Sequence, residues 1–466
     1  MISFVRELAR PKNRYVAGIA VLAAIGGFLF GFDTGVVGSA EPFFAKALHI
    51  GSFGESWVVG SLLLGAICGA ALAGWLAEAI SRKWTKFGGG CLFVLAALGS
   101  AAAPNVELVC AARFVLGVAV GSASFVAPMY ISEQSPKSLR GGMTALNQVM
   151  IAFGIFVAYL SDYGLSGIGA QNWRWMFAVE AIPGLALAIA MVIVPHTPRW
   201  LLERGREDEA RAVLAKTRDR DEIDDEVGEI QDVVNAQRST KLGELIGPRL
   251  RPMVLVGIIL AFLQQAVGIN AVIYFGASVL KFMGATTNTA VYEAISLGVV
   301  NFLGALVAAL LLDWVGRRVL LIIGSAGMVT SLGALGWYFS TGHSFQHNEA
   351  WVGLVCVLGF LAFFEISLGP VFWLMIAELY PLGIRSKAMA SATMVNWTAN
   401  FLVSYFFLSL TKGIGKDGTF WLFGGFALLA VLYSMFRVPE TKNRSLEEIE
   451  QELGAHEEGA ANHVAA

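Results

Sequence analysis

Four ionisable residues stand inside stretches that are otherwise almost wholly apolar: Asp33, Arg113, Glu180 and Glu365. The first lies in GGFLFGFDTGVVG, residues 26–38, within an apolar run from about Tyr15 to Val37. That run has the length of one membrane crossing, about 20 residues. A carboxylate at the centre of such a helix costs about 2.5–3.5 kcal/mol to insert, so Asp33 must face protein and have either a partner or a proton. Arg113 keeps its charge and needs an anion or a carbonyl at its depth, which makes Asp33 its natural partner. Protonating Asp33 would break the pair and send Arg113 to another acceptor. Proton occupancy would then bias the helix arrangement by as much as the two states differ in interaction. The plain alternative is a static structural ion pair, and the residue types alone leave both open. Glu365 reads as structural, paired with a basic loop residue such as Arg385.

A second set is neutral: Gln148, Gln264, Gln265, Asn270, Asn301, Trp373, Asn396, Trp397 and Asn400. Amides both donate and accept, as do the hydroxyls of an uncharged polyol, and an indole face suits the C–H surface of a sugar ring. Gln264, Gln265 and Asn270 crowd into one short stretch, where Gly268 allows the helix to unwind. Any single amide reads equally well as interhelical glue worth about 0.6 kcal/mol. Gly369 with Pro370 predicts a break just before Trp373, where a gate could bend, and Tyr274 is a candidate lid residue.

These side chains need a membrane-embedded scaffold, and the composition supplies one. The chain has 466 residues, 56% hydrophobic and 15% charged, with mean hydropathy +0.64, where soluble chains carry about 25% charged residues. Spans are predicted near Tyr15–Val37, Ser56–Ala77, Phe87–Ala103, Leu108–Tyr130, Met143–Tyr163 and Trp175–Val194. Six more follow near Met253–Val279, Ala290–Leu312, Val319–Ser340, Trp351–Glu378, Ala388–Leu410 and Phe420–Val438. Bases at Arg6, Arg10, Lys12 and Arg14, and in alternate loops at Arg82, Lys83, Lys86, Lys137, Arg140, Arg317, Arg318, Arg385 and Lys387, place both termini in the cytoplasm.

The expected organisation is a six-helix half at 1–194, an intracellular linker domain at 195–252, a second half at 253–438 and a cytoplasmic tail at 439–466. The linker holds 11 Lys or Arg and 13 Asp or Glu. Leu201, Ala210, Val213 and Leu214 recur there as on an amphipathic helix at the membrane surface or packed under the bundle, and a merely solvated linker fits as well. Net charge is −2 and implies no nucleic-acid partner. Cys68, Cys91, Cys110 and Cys356 show no metal spacing and read as packing residues. All six histidines fall outside the spans, which leaves proton handling to carboxylates.

An internal repeat supports the two halves. ISEQSPKSLR at 131–140 matches IAELYPLGIR at 376–385, pairing Glu133 with Glu378 and Arg140 with Arg385. Glu78 and Arg82 likewise match Asp313 and Arg317. Parallel repeats of this kind build transporters that rock two halves about a midplane site. Acid and base at neighbouring helix ends pair in one conformation and separate in another, which makes these eight residues a candidate cytoplasmic latch.

With the acid before GRR at Asp313, RGG at 140–142, PHTPRWLLE at 195–203, QQAVGINAVIYF at 264–275, GPVFWLMIAELYP at 369–381, NWTANF at 396–401 and PETK at 439–442, the sequence resembles the sugar porter family of the major facilitator superfamily over nearly its whole length. The resemblance implies an all-α membrane protein of twelve transmembrane helices in two pseudo-symmetric halves, with intracellular helices in the central loop. It also implies alternating access, with the amide set as sugar-contacting positions. Proton-coupled members have Asp in the first-helix motif where facilitative glucose carriers have Asn, and xylose symporters have an acid matching Glu180. Asp33, Arg113 and Glu180 are thereby the expected proton-coupling residues.

Glu78, Ser81 and His196 depart from the family's usual Asp, Gly and Glu, which puts the balance of inward and outward states in question. Ile155 stands where xylose transporters have a second Gln and glucose-class members an apolar residue, favouring a hexose. The expected activity is proton-coupled monosaccharide symport, with facilitative uniport and myo-inositol symport as alternatives. The partners are a sugar, a proton and the lipid bilayer, with the proton as coupling ion and no cofactor. The protein is expected to act as a monomer in a bacterial inner membrane. No nucleophile and base constellation points to an enzyme.

Overall fold

The computed structural model describes residues 11–136, 139–239, 247, 250–341, 350–380, 384–442, 444 and 448, with the side chains of 11, 233–239, 313 and 386 outside that description. The Asp313 side chain, assigned above to the latch, and the tail beyond 448 therefore lie outside the described residues. The chain forms two compact units, Met1–Arg238 and Ser239–Ala466.

The first unit contains α1 (Pro11–Ala47), α2 (Ser52–Ala79), α3 (Arg82–Ala102), α4 (Val106–Gln134), α5 (Arg140–Leu165), α6 (Asn172–Val179), α7 (Ala181–Ile193), α8 (Pro198–Glu203), α9 (Glu207–Thr217) and α10 (Ile223–Ser239). The second contains α11 (Arg251–Ala266), α12 (Ile269–Tyr274), α13 (Gly276–Phe282), α14 (Thr287–Val315), α15 (Arg317–Ser340), α16 (Ala350–Glu365), α17 (Leu368–Leu379), α18 (Arg385–Gly413) and α19 (Gly415–Phe436). Among the described residues, 11 helical stretches are long and apolar enough to cross a membrane. The twelfth predicted span is α18, whose 29 residues have ample length, about 1.5 Å each. Its apolar character is diluted by Thr393, Asn396, Asn400 and Ser404, all of which it buries.

The repeat read from the sequence reappears as a repeated set of helix neighbours. In the first unit α1 packs on α5, α2 on α4, and α3 on both α4 and α7. In the second, α11 packs on α18, α14 on α16, and α15 on both α16 and α19. Small residues permit the closest of these contacts. A Cβ at Gly31 would strike the Ile151 carbonyl, and one at Gly35 would come within 2.7 Å of Ala158 Cβ. The two glycines, one turn apart, thus let α1 lie against the backbone of α5. Gly65 and Gly69 of α2 meet α4 backbone in the same way. Large side chains left exposed include Trp75, Trp175, Trp314, Trp337 and Trp351, most of them close to a helix end, where amphipathic indoles favour the membrane–water boundary.

The linker helices are packed under the first bundle. Trp200, Leu201, Leu202, Ala210, Leu214 and Val227 form a small core of their own. Trp200 Nε1 donates to Glu78 O at 3.0 Å, Arg204 Nη2 to Ala79 O at 2.7 Å, and Arg218 Nη2 to Ser135 O at 3.0 Å. The solvated-linker alternative is thereby excluded for α8 and α9, while α10 joins their small core through Val227.

Ser81 and Gly316 precede the two repeat-related helices α3 and α15, with nearly identical backbones, φ 95 and ψ 154 against φ 95 and ψ 156. Only glycine tolerates that region freely, and a side chain there costs about 1–3 kcal/mol. Ser81 recovers part of this by capping α3, accepting from Trp84 N at 3.2 Å, but glycine at an N-cap loses only a few tenths of a kcal/mol. Ser81→Gly is therefore expected to stabilise the first unit by about 1 kcal/mol or more, visible as a higher midpoint of thermal unfolding in detergent. A lower midpoint would refute the strain argument.

Candidate functional site

Asp33, on α1, is completely buried and Arg113, on α4, is 1% exposed. Arg113 Nη1 donates to Asp33 Oδ1 at 3.0 Å and Nη2 to Oδ2 at 3.5 Å. Its Nε donates to Val58 O on α2 at 3.0 Å, and the guanidinium lies 5.5 Å from the centre of the Phe177 ring. One arginine thus ties α1, α2 and α4 together and touches α6. Glu180 sits between α6 and α7, fully buried, with neither carboxylate oxygen hydrogen-bonded, yet within electrostatic reach of Asp33, Arg113 and Asp162. The structure brings the three expected proton-coupling residues into one cluster. It adds Asp162, an acid near the end of α5 that sequence reasoning passed over, although it interrupts an apolar segment just as Asp33 does.

Lys86, counted above among loop bases, is 2% exposed. Its Nζ donates to Ala23 O on α1 at 2.6 Å and lies 5.4 Å from the Tyr130 ring centre. The α3 helix begins at Arg82, so Lys86 falls one turn inside it and faces α1 rather than solvent.

In the second unit the amides form a network around a helix break. Gly268 has φ 85 and separates α11 from α12. The left-handed backbone suits glycine alone, and a Cβ there would also collide with the Phe423 ring. Asn396 Nδ2 donates to Gln264 Oε1 at 2.5 Å, Gln265 Nε2 to Asn396 Oδ1 at 3.1 Å, and Asn270 Nδ2 to Gln265 Oε1 at 2.8 Å. Gln264 Nε2 donates to the carbonyls of Leu368 and Gly369 at 2.9 and 3.1 Å, which links the network to the first turn of α17. The second break lies at Ile366 and Ser367, not at Gly369 and Pro370 as expected. Pro370 has no N–H, and its ring crowds the carbonyl four residues earlier. That carbonyl belongs to Ile366, so the disruption appears upstream of the proline.

The remaining amides stand apart from this network. Asn301 Nδ2 donates to Glu365 Oε1 at 3.1 Å, while Asn400 Oδ1 accepts from Ser404 Oγ on its own helix at 3.1 Å. Trp397 and Tyr274 are buried at 2% and 1% exposed, Trp373 is half-buried edge-on to Phe372, and Gln148 is half-buried on α5 in the first unit. Glu365 is bonded by Asn301, whereas Arg385 Nε donates to Tyr380 O at 2.9 Å. Glu365 and Arg385 stand before and after α17, about 18 Å long at 1.5 Å per residue, so the expected pair is corrected.

The predicted latch residues sort into two repeat-related pairs. Arg82 Nη2 donates to Glu133 Oε1 at 3.1 Å in the first unit, and Arg317 Nη2 to Glu378 Oε1 at 2.7 Å in the second. Each pair has a further acid that sequence reasoning did not assign. Glu203, at the end of PHTPRWLLE, takes two bonds from Arg82 at 2.9 and 3.2 Å. Glu440, in PETK, accepts from the backbone N–H groups of Arg317 and Arg318 at 2.9 and 3.1 Å, and Thr441 Oγ1 donates to Glu378 at 2.6 Å. The side chains of Glu78 and Arg140 are exposed and join neither pair; only the Glu78 carbonyl is engaged, by α8. His196 stacks on Trp200 at 4.8 Å. Burial, helped by nearby Lys83 and Arg206, pushes its imidazole below its ordinary pKa, which favours the neutral ring, and an imidazole in either protonation state lacks the negative charge of the Glu usual at that position.

The family profile described as sugar (and other) transporter matches residues 19–453. The putative metabolite transport protein YwtG of Bacillus subtilis (strain 168) is 38% identical over 432 residues, which is 92% of this chain and 93% of that protein. The galactose-proton symporter of Escherichia coli (strain K12) is 36% identical over 97% of this chain and 99% of its own length. Among solved structures, the major facilitator superfamily proton:xylose symporter XylE, bound to 6-bromo-6-deoxy-D-glucose, shares 31% identity at a TM-score of 0.82, covering 94% of this chain and 99% of that one. With the repeated helix pairing and a profile match over nearly the whole length, the chain belongs to the sugar transporter family of the major facilitator superfamily.

Proposed function

We propose that this protein is a proton-coupled monosaccharide symporter, acting by alternating access as a monomer in a bacterial inner membrane, with both termini cytoplasmic. The observation that carries the reading is the buried Asp33–Arg113 pair, the only acid–guanidinium ion pair found deep within the spans among the described residues. A proton on Asp33 cancels the charge that holds Arg113, and Arg113, itself on α4, also contacts α2 and α6; protonation therefore changes what binds α1 to α2 and α4. Proton symport is also named for relatives spanning nearly this whole chain, the galactose-proton and arabinose-proton symporters of Escherichia coli.

Sugar recognition is assigned to Gln264, Gln265, Asn270 and Asn396, with Gln148, Asn301, Trp373, Trp397 and Asn400 as further contacts and Tyr274, Gly369 and Pro370 as gating residues. The four networked amides hydrogen-bond to one another. A polyol is then bound by exchanging amide–amide bonds for amide–hydroxyl bonds, so affinity depends on how many hydroxyls find complementary partners. Ile155, 4% exposed, offers contact rather than a hydrogen bond beside Gln148's helix face and favours a hexose.

The test is proton movement itself. Adding glucose or galactose to energy-depleted cells in weakly buffered medium is expected to make the medium alkaline, and a protonophore to abolish accumulation. Accumulation insensitive to the protonophore, with no alkalinisation, would identify a uniporter. Competition by xylose and myo-inositol in the same assay ranks the substrates.

A further inference from the structure

The charge count around Asp33 does not balance. Three carboxyls, Asp33, Glu180 and Asp162, are each completely buried, and one guanidinium, Arg113, stands among them. Arg113 spends two nitrogens on Asp33 and the third on Val58 O, leaving little for another acid. Neither oxygen of Asp162 and neither of Glu180 has a hydrogen-bond partner. An uncompensated buried carboxylate costs several kcal/mol, and a protonated one does not carry that charge.

Position distinguishes Asp162 from the other two. The contacts of Gly31 with Ile151 and of Gly35 with Ile155 and Ala158 set α1 and α5 side by side and parallel. Continuing that register brings the Ser39 hydroxyl of α1 against Asp162, close enough to interact with its carboxyl though outside regular hydrogen-bond geometry. Ser39 lies six residues beyond Asp33 towards the Ala47 end of α1, about 9 Å along the helix. Asp162 therefore stands between that end of the bundle and the Asp33–Arg113 pair. The titratable and charged groups around it are Tyr159 on its own helix and Glu180 between α6 and α7. Beyond Glu180 come Asp33 on α1 and Arg113 on α4, while Glu41, buried two residues past Ser39, completes the ionisable set of this stretch of α1.

We propose that Asp162 is a second proton-binding carboxyl of this protein, holding a proton while Asp33 is ionised against Arg113 and exchanging it with Glu180 during the transport cycle. In that exchange, once Glu180 has passed its own proton to Asp33, the O–H bond at Asp162 breaks as one forms at Glu180, which leaves the cluster's charge unchanged; reprotonation of Asp162 from water at the Ala47 end of α1 then adds one proton and one positive charge to the cluster. The transport half of the inference rests on the symport reading above. The proton-holding half does not.

Infrared spectra of the purified protein in liposomes at neutral pH test the proton-holding half directly, because a protonated carboxyl has its own C=O stretching band. Asp162→Asn is expected to remove one carboxyl's share of that band, and Asp162→Glu to keep the share at a shifted frequency, which guards against a variant that merely misfolds. The second readout is the pH profile of sugar uptake. Once ionised in alkaline medium, Asp162 adds negative charge beside Glu180 and helps the cluster retain protons; Asp162→Asn lacks this, so its uptake is expected to fall off at a lower pH than that of the wild type. A band unchanged in Asp162→Asn, or superimposable pH profiles, would overturn the proposal. Loss of the band in a protein that shows no sugar-induced alkalinisation would uphold the proton site and refute the symport reading.

Discussion

In an Asp33→Asn variant, accumulation of sugar against a gradient is expected to collapse to the equilibrium level while exchange of labelled sugar continues. At a membrane potential of about 100 mV one cotransported proton supplies about 2.3 kcal/mol. At 1.4 kcal/mol per tenfold change, that sustains a gradient of about 50-fold, so the expected loss is from about 50-fold to none. Asparagine is nearly isosteric and still offers one carbonyl oxygen to Arg113, but it carries no exchangeable proton. Arg113 keeps its bond to Val58 O at 3.0 Å and its place against Phe177, and Glu180, whose oxygens are unpartnered, stands ready as a replacement anion. These compensations keep the cost to the fold below the 3–5 kcal/mol typical of stripping a buried ion pair. Counterflow in liposomes with no pH gradient measures exchange, and uptake driven by an imposed gradient measures coupling. Undiminished uphill uptake in the variant would refute the role of Asp33.

Hydropathy and charge made the scaffold legible, because a membrane span is a one-dimensional pattern. All twelve predicted spans correspond to helices, and the repeat of Glu133 with Glu378 and Arg82 with Arg317 pointed to the ion pairs each half contains. Asp33 and Arg113 were readable as partners because each is too costly to leave alone in an apolar segment. What the sequence concealed depends on three-dimensional direction. Lys86 sits among loop bases in sequence, and only the helix start at Arg82 turns it inward under Ala23. Asp162 was lost near the end of its span, where an acid reads as a boundary residue rather than a buried one. Glu203 and Glu440 lie in motifs that mark the family, but their partners are more than 100 residues away and no spacing announces them. Among the amides, side-chain type identified the set. It did not reveal that Gln264, Gln265, Asn270 and Asn396 bond to one another while Asn301 turns to Glu365.

Removing the central cation of the first latch is expected to be strongly destabilising. Arg82 side chain is 4% exposed and bridges Glu133 at 9% and Glu203 at 20%, so Arg82→Ala leaves two largely buried carboxylates without their cation. The typical cost of such an orphaned charge is about 3–5 kcal/mol. Arg199 remains within 3.1 Å of Glu203 and 3.9 Å of Glu133, which favours the lower end of that range. Arg317→Ala should cost less, roughly 1.5–3 kcal/mol for its charged hydrogen bonds, since that pair is 12% and 28% exposed and Thr441 still donates to Glu378.

The pH dependence separates charge from packing. Burial pushes the Glu203 carboxyl up, but Arg82 and Arg199 outweigh it and hold the group below its ordinary value. A depressed carboxyl contributes its stability in full above the unfolded pKa, about 4.3, and loses it as pH falls through the folded value. Wild type should therefore lose stability on acidification below about pH 4.3 more steeply than Arg82→Ala, and the two unfolding midpoints, far apart at neutral pH, should converge in acid. A gap that persists undiminished at low pH would mean that Arg82 acts through packing, and that α3, α4 and α8 are joined by shape rather than by the charges of the proposed latch.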